Sequence, residues 1–111
     1  MKIIQCALWL ASTAVVWGQA AKTANEGYRD EAARGKVAAT LSDEGRDVRQ
    51  KPKELIAHLG IRPGMAVVDV GTAVGYMLPH LSAAVGPSGI VYAEDIFEDF
   101  LSKAKQRSAN L

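Results

Sequence analysis

Charged and apolar positions divide this chain into zones. Between Lys22 and Glu54, eight basic and seven acidic residues are interleaved, and Gly27, Gly35 and Gly45 interrupt any long helix. From Leu55 to Ala93 the only charges are Arg62 and Asp69. The first stretch reads as a solvated lead-in with a helical piece around Asp30 to Leu41, and the second reads as core. "PKELIAHLG", starting at Pro52, predicts a short helix. Proline is tolerated in a first turn, Leu55, Ile56 and Leu59 share one face, and Gly60 suits the terminating position.

"RPG" at 62–64 predicts a turn with Pro63 at its first corner. Met65 to Val70 is then almost continuously apolar and rich in Val, the pattern of a parallel strand covered on both faces. After Gly71 the period changes: Val74, Met77, Leu78, Leu81 and Val85 recur at helical spacing until Gly86. Pro79 falls inside that pattern, where it removes the donor to the carbonyl of Gly75 and predicts a kink. "GPSG" at 86–89 is a loop, and "IVYA" is a second buried strand. Ile96, Phe97, Phe100, Leu101, Ala104 and Leu111 predict a second amphipathic helix running to the last residue. Strand, helix, strand, helix with short links define an α/β unit with a right-handed parallel βαβα path.

The beginning of the chain reads differently. Met1 and Lys2 supply one positive charge, Ile3 to Trp17 is uncharged and mostly apolar, and small residues follow at Gly18, Ala20 and Ala21. The apolar run is about fifteen residues, short of the roughly twenty that a spanning helix needs. Residues 1–20 therefore predict a cleavable signal peptide and export, periplasmic or secreted, with an uncleaved membrane anchor as the alternative. Across the whole chain, 13 Lys plus Arg stand against 12 Asp plus Glu, and aromatics make up 6%. Neither feature gives a reason to expect a nucleic-acid partner. Cys6 is the sole cysteine, and His58 and His80 have no acidic or sulfur neighbours at ligand spacing, so no metal site is predicted.

In a parallel unit, ligands lie beyond the carboxyl ends of the strands. Asp69 and Asp95 stand at or near those ends, 26 positions apart. Gly71 and Gly75 bracket the turn between them and allow positive φ and close approach to the backbone. A carboxylate closing the second strand is the usual receiver of ribose hydroxyls in this topology. Asp95 could equally cap the helix predicted to begin at Ile96.

With these features in view, "LGIRPGMAVVDVGTAVGYMLPHLSAAVGPSGIVYAEDI" resembles the first strand–helix–strand of class I S-adenosylmethionine-dependent methyltransferases, most of all the small-molecule group that includes the ubiquinone-biosynthesis C-methyltransferases. That family's acid-x-Gly-x-Gly-x-Gly signature falls on Asp69, Gly71, Ala73 and Gly75, and its ribose-binding acid falls on Asp95. The resemblance implies a Rossmann-like sheet of which this is the first part, and S-adenosyl-L-methionine as cofactor. It also implies a cofactor-binding set of Asp69, Gly71, Thr72, Ala73, Gly75, Asp95 and Ile96, with Ile96 beside the adenine. Ala73 departs from the signature's middle glycine, adding a methyl group close to the cofactor. No catalytic base is assigned.

The family's sheet has seven strands, whereas the chain reaches only a second helix. The expected organisation is thus a signal peptide at 1–20, a polar lead-in at 21–50 and a partial methyltransferase domain at 51–111, complete only in a longer parent enzyme. The expected acceptor is a small molecule, without nucleic acid, and the open sheet edge predicts self-association. Two other functions compete. A non-catalytic exported nucleoside-binding module would need no acceptor site. A nicotinamide-dinucleotide oxidoreductase would need G-x-G-x-x-G, which here meets Ala73 and Tyr76.

Overall fold

A computed structural model of the chain describes residues 22–109 and 111. The signal-peptide reading of 1–20 lies outside the described residues. The described elements begin with a 3-10 turn, Glu26–Tyr28, followed by α1 (Glu31–Leu41), α2 (Arg46–Gln50) and α3 (Pro52–His58). They continue with β1 (Ala66–Val70), α4 (Leu78–Val85), β2 (Ile90–Glu94) and α5 (Glu98–Ser108). The chain divides into two compact units, one ending at Val37 and one from Ala38 to Leu111. In the first, Asp30 caps α1 by accepting the Ala33 N–H at 2.8 Å. That bond holds the Asp30 carboxyl below the usual carboxylate range.

The second unit contains the expected parallel pair. β1 and β2 run in register from Ala66 opposite Ile90 to Val70 opposite Glu94. The "RPG" turn forms as expected: the Met65 N–H donates to the Arg62 carbonyl at 3.2 Å, and Gly64 takes a φ of 86°, as the third position of a type II turn requires. Leu78, Leu81 and Val85 of α4 are buried together with Val74, Tyr76, Phe100 and Ala104. Phe97 and Phe100 meet edge to face, with ring centroids 5.7 Å apart. This core lies between α4, α5 and the turn after β1.

Three expectations are corrected. First, α4 begins at Leu78 rather than Val74, so Pro79 sits in its first turn and no kink is needed. The ring fits there because a first-turn N–H has no helical partner to lose. Second, the strands are covered on one face only. Val68 and Val70 are 52% and 78% exposed, Tyr92 is 51% exposed, and burial alternates along both strands. The Val-rich run reflected strand propensity, and a continuous apolar pattern does not report how many helical layers lie above it. Third, α5 begins at Glu98 and ends at Ser108, leaving Ile96 outside the helix and 89% exposed.

Gly89 marks the point where the chain passes under α4 into β2. A Cβ placed there would lie 2.4 Å from the Val85 Cβ and 2.8 Å from the Met65 carbonyl oxygen. The next residue, Ile90, donates its N–H to that same carbonyl at 3.0 Å. One side chain from the turn reaches in the other direction. The Tyr76 hydroxyl donates to the Asp47 carboxylate on α2 at 2.7 Å, and the Arg46 guanidinium lies 3.9 Å from the centre of the Tyr76 ring.

Candidate cofactor site

The turn from Gly71 to Met77 is held from three sides. Below it, the Glu94 carbonyl at the end of β2 accepts the N–H groups of Gly71 at 2.8 Å and Thr72 at 3.0 Å. On the β1 side, the Thr72 hydroxyl donates to Asp69 Oδ2 at 2.8 Å, and Thr72 itself is buried. On the β2 side, Asp95 Oδ2 accepts the Ala73 N–H at 2.9 Å, while its Oδ1 accepts the Phe97 N–H at 3.0 Å. The parallel register thus brings Asp69 and Asp95 to one rim, with the turn clamped between them. Parallel pairing at Val70 and Glu94 is what places both acids at the same end.

The two glycines of the motif do different work. Gly71 is exposed, with a φ of 73°, and a Cβ there would meet nothing within 4 Å. Backbone and open space at this point leave room for a ligand to approach closely. Gly75 also has a φ of 73°, but it is buried, and a Cβ there would lie 3.0 Å from the Ala104 Cα and 2.9 Å from the Leu78 Cδ1. Its missing side chain serves the packing of the turn on α5, not an opening toward a ligand.

Ala73 occupies a left-handed conformation, with a φ of 48°. That backbone costs an L-residue roughly 1–2 kcal/mol, more than the roughly 0.5–1 kcal/mol that glycine loses in chain entropy. Ala73→Gly is therefore expected to raise stability slightly, up to about 1 kcal/mol. Urea denaturation checks this, since a lowered midpoint would show that the Ala73 methyl contributes packing that outweighs the strain.

The clamp also decides which ligand chemistry suits the site. The N–H groups of Gly71, Thr72, Ala73 and Gly75 are all engaged within the protein. α4 starts only at Leu78, and the Leu78 N–H bonds to the Gly75 carbonyl at 3.2 Å rather than facing a ligand. A pyrophosphate needs such donors. The site instead presents acceptors. Each Asp95 oxygen takes one N–H and keeps a further lone pair, enough for a pair of hydroxyls. Ile96 projects beside it as an exposed apolar surface. The open lone pairs of Asp95 suit a ligand that presents hydroxyl donors.

Comparison with known proteins agrees with that chemistry. No family model matches the chain. The crystal structure of an S-adenosylmethionine-dependent methyltransferase from Aquifex aeolicus superposes with a TM-score of 0.64 at 35% identity, covering 68% of this chain and 40% of that one. Among curated proteins, the tRNA (adenine(57)-N(1)/adenine(58)-N(1))-methyltransferase TrmI of Methanocaldococcus jannaschii is 41% identical over 58 residues, half of this chain and 21% of that protein. The rRNA 2'-O-methyltransferase fibrillarin of Xenopus laevis is 35% identical over 57 residues, 48% of this chain and 18% of that protein. The chain thus spans about a fifth of the length of these curated relatives.

The described α/β unit has the fold of the S-adenosylmethionine-dependent methyltransferases, as a partial Rossmann-like sheet. The narrower likeness to ubiquinone-biosynthesis C-methyltransferases is not supported, because both curated relatives modify RNA. The expectation of a small-molecule acceptor and no nucleic-acid partner is corrected on the same finding. Net charge bore only on long-range attraction to a polyanion, and one fold serves many acceptors.

Asp47 and Arg46 escaped the sequence reading. They lie in the charge-rich stretch that looked merely solvated, 29 positions before Tyr76 in the case of Asp47, and nothing in their spacing signals the contact.

Proposed function

We propose that this chain binds S-adenosylmethionine in the crevice beyond the carboxyl ends of β1 and β2 and carries the cofactor-binding part of a methyltransferase. The observation that carries the proposal is the Asp95 clamp, which fixes Ala73 and Phe97 while leaving Gly71 open. S-adenosylmethionine is the cofactor indicated by the solved neighbour. Asp95 would receive the ribose hydroxyls, Ile96 would lie against the adenine, and the exposed Gly71 backbone would let the methionine portion settle. Asp69 would act through Thr72 by holding the turn in shape. When bound, the cofactor supplies an electrophilic methyl group on sulfur for in-line transfer to a nucleophile. The chain's own contribution is to hold that donor in a fixed orientation, which is where most of the rate gain in such a displacement arises.

RNA is the acceptor class we favour, on the strength of two relatives that modify tRNA and rRNA. Calorimetric titration with S-adenosylhomocysteine tests the cofactor reading. A saturable one-to-one heat is expected, lost in Gly71→Val because the new side chain fills the open face. Heat with NADH and none with S-adenosylhomocysteine would overturn it. Incubating the chain with tritiated S-adenosylmethionine and total RNA tests the acceptor separately. Unlabelled RNA alongside intact cofactor binding would remove the acceptor proposal alone.

A further inference from the structure

The turn that forms the candidate site is fastened at one more point that the cofactor chemistry does not require. Tyr76 follows Gly75 directly, is buried, and sends its hydroxyl out of the turn to Asp47 on α2 at 2.7 Å. Its ring meets the Arg46 guanidinium, 3.9 Å from the ring centre, and the edge-on His80 ring, with centroids 5.8 Å apart. Arg46 in turn donates to the Leu41 carbonyl at 2.8 Å, so α2 is anchored at the end of α1 while it holds the turn. On its far side α2 ends at Lys51, a non-glycine residue at a φ of 47°, where the chain bends into α3. A five-residue helix has too few bonds to persist alone. Its position here is set by these side-chain contacts.

We infer that α2 is a strap across the base of the cofactor turn, and that Asp47 and Tyr76 are positioning residues whose hydrogen bond sets affinity for the adenosyl cofactor. The inference rests on the function proposed above. The physical link is short. Tyr76 and Asp95 hold the turn from opposite sides, Asp95 through the Ala73 N–H and Tyr76 through the backbone it shares with Gly75. Gly75 bonds back to the Thr72 carbonyl at 2.9 Å, so movement at Tyr76 is passed to the two residues that Asp69 and Asp95 secure. Releasing Tyr76 would let Ala73 leave its left-handed conformation, since that strain persists only while its surroundings enforce it. The ligand would then have to reorder the turn on binding, and affinity would fall by the cost of that step. Burial, and next the Asp47 carboxylate, push the Tyr76 phenol above its ordinary value, with Arg46 and Arg107 opposing. The hydroxyl therefore keeps its proton and remains a donor at neutral pH.

A double-mutant cycle tests the strap. Dissociation constants for S-adenosylhomocysteine are measured for the whole chain, Tyr76→Phe, Asp47→Ala and the double variant, each shown to be folded by its urea midpoint. Each single change is expected to weaken binding about tenfold, with the double variant no weaker than either single, because one shared bond is lost. In the absence of ligand, hydrogen exchange at the Ala73 amide should quicken in both single variants while exchange at Ile90 stays as in the unaltered chain. Unchanged affinity and unchanged Ala73 exchange in folded variants would overturn the inference and leave the bond a contributor to stability only. Were the unaltered chain not to bind S-adenosylhomocysteine at all, the cofactor reading and the inferred effect on affinity would both be lost. Ala73 exchange would still report whether α2 straps the turn. Should Tyr76→Phe fail to fold, Asp47→Ala, on an exposed residue, decides the outcome.

Discussion

Replacing Gly89 with alanine is expected to destabilise the second unit by about 3 kcal/mol, the upper part of the range for an added methyl group in a packed site. The new Cβ would fall 2.4 Å from the Val85 Cβ, 2.6 Å from the Val85 carbonyl oxygen and 2.8 Å from the Met65 carbonyl oxygen. Two of those three atoms belong to the backbone, so no rotamer change relieves the overlap. One carbonyl, that of Val85 at the end of α4, accepts the Gly64 N–H at 2.8 Å, and the other accepts the Ile90 N–H that starts the pairing of β2 with β1. Making room must pull α4 off the sheet or part the strands at their first bond. Urea denaturation followed by far-ultraviolet circular dichroism measures the loss. Gly35→Ala serves as the comparison, because a Cβ there meets nothing within 4 Å. A glycine inside a helix costs up to about 1 kcal/mol relative to alanine, so that change should raise the midpoint. An unaltered midpoint in Gly89→Ala would mean that α4 and the two strands do not converge as closely as described.

The second large effect concerns binding. Asp95→Ala is expected to lower affinity for S-adenosylhomocysteine by at least roughly a hundredfold. Hydrogen bonds to a charged group contribute about 1.5–3 kcal/mol each, and each 1.4 kcal/mol is about tenfold in affinity, so losing two ribose bonds accounts for that factor. The clamp on Ala73 and Phe97 disappears in the same change, which adds disorder in the turn to the loss of direct contacts. Asp95→Asn should fall between, since an amide keeps one acceptor oxygen but cannot hold both N–H groups. Glu98→Ala removes an exposed acid from the first turn of α5 and controls for net charge. Equal affinity in Asp95→Ala and Glu98→Ala would exclude Asp95 from the binding site.

Much of this arrangement was legible in the residues. The parallel strands, the intervening helix, the type II turn at Arg62–Met65 and the meeting of Asp69 with Asp95 at one rim all follow from local pattern and from the rules of βαβ connection. What stayed hidden depended on tertiary contact. Helical spacing from Val74 onward could not show that residues 71–77 are drawn into a turn by Glu94 and Asp95, because those partners lie more than twenty positions along. Gly71 and Gly75 look equivalent in a motif, yet one faces open space and the other faces the Ala104 backbone. The pairing of Tyr76 with Asp47 joins a residue known for its bulk to one taken for solvent-facing charge, and composition is blind to such a bond.

The half-covered sheet has a practical consequence for anyone following the unfolding of this chain. Val68, Val70, Ile90 and Tyr92 present a ready-made apolar platform to water while the structure is fully native. Dyes such as anilinonaphthalene sulfonate fluoresce on surfaces of that kind, and their signal is usually read as a sign of loosened tertiary packing. Here the dye would glow on the intact unit, and its brightness would fall, rather than rise, as the strands separate.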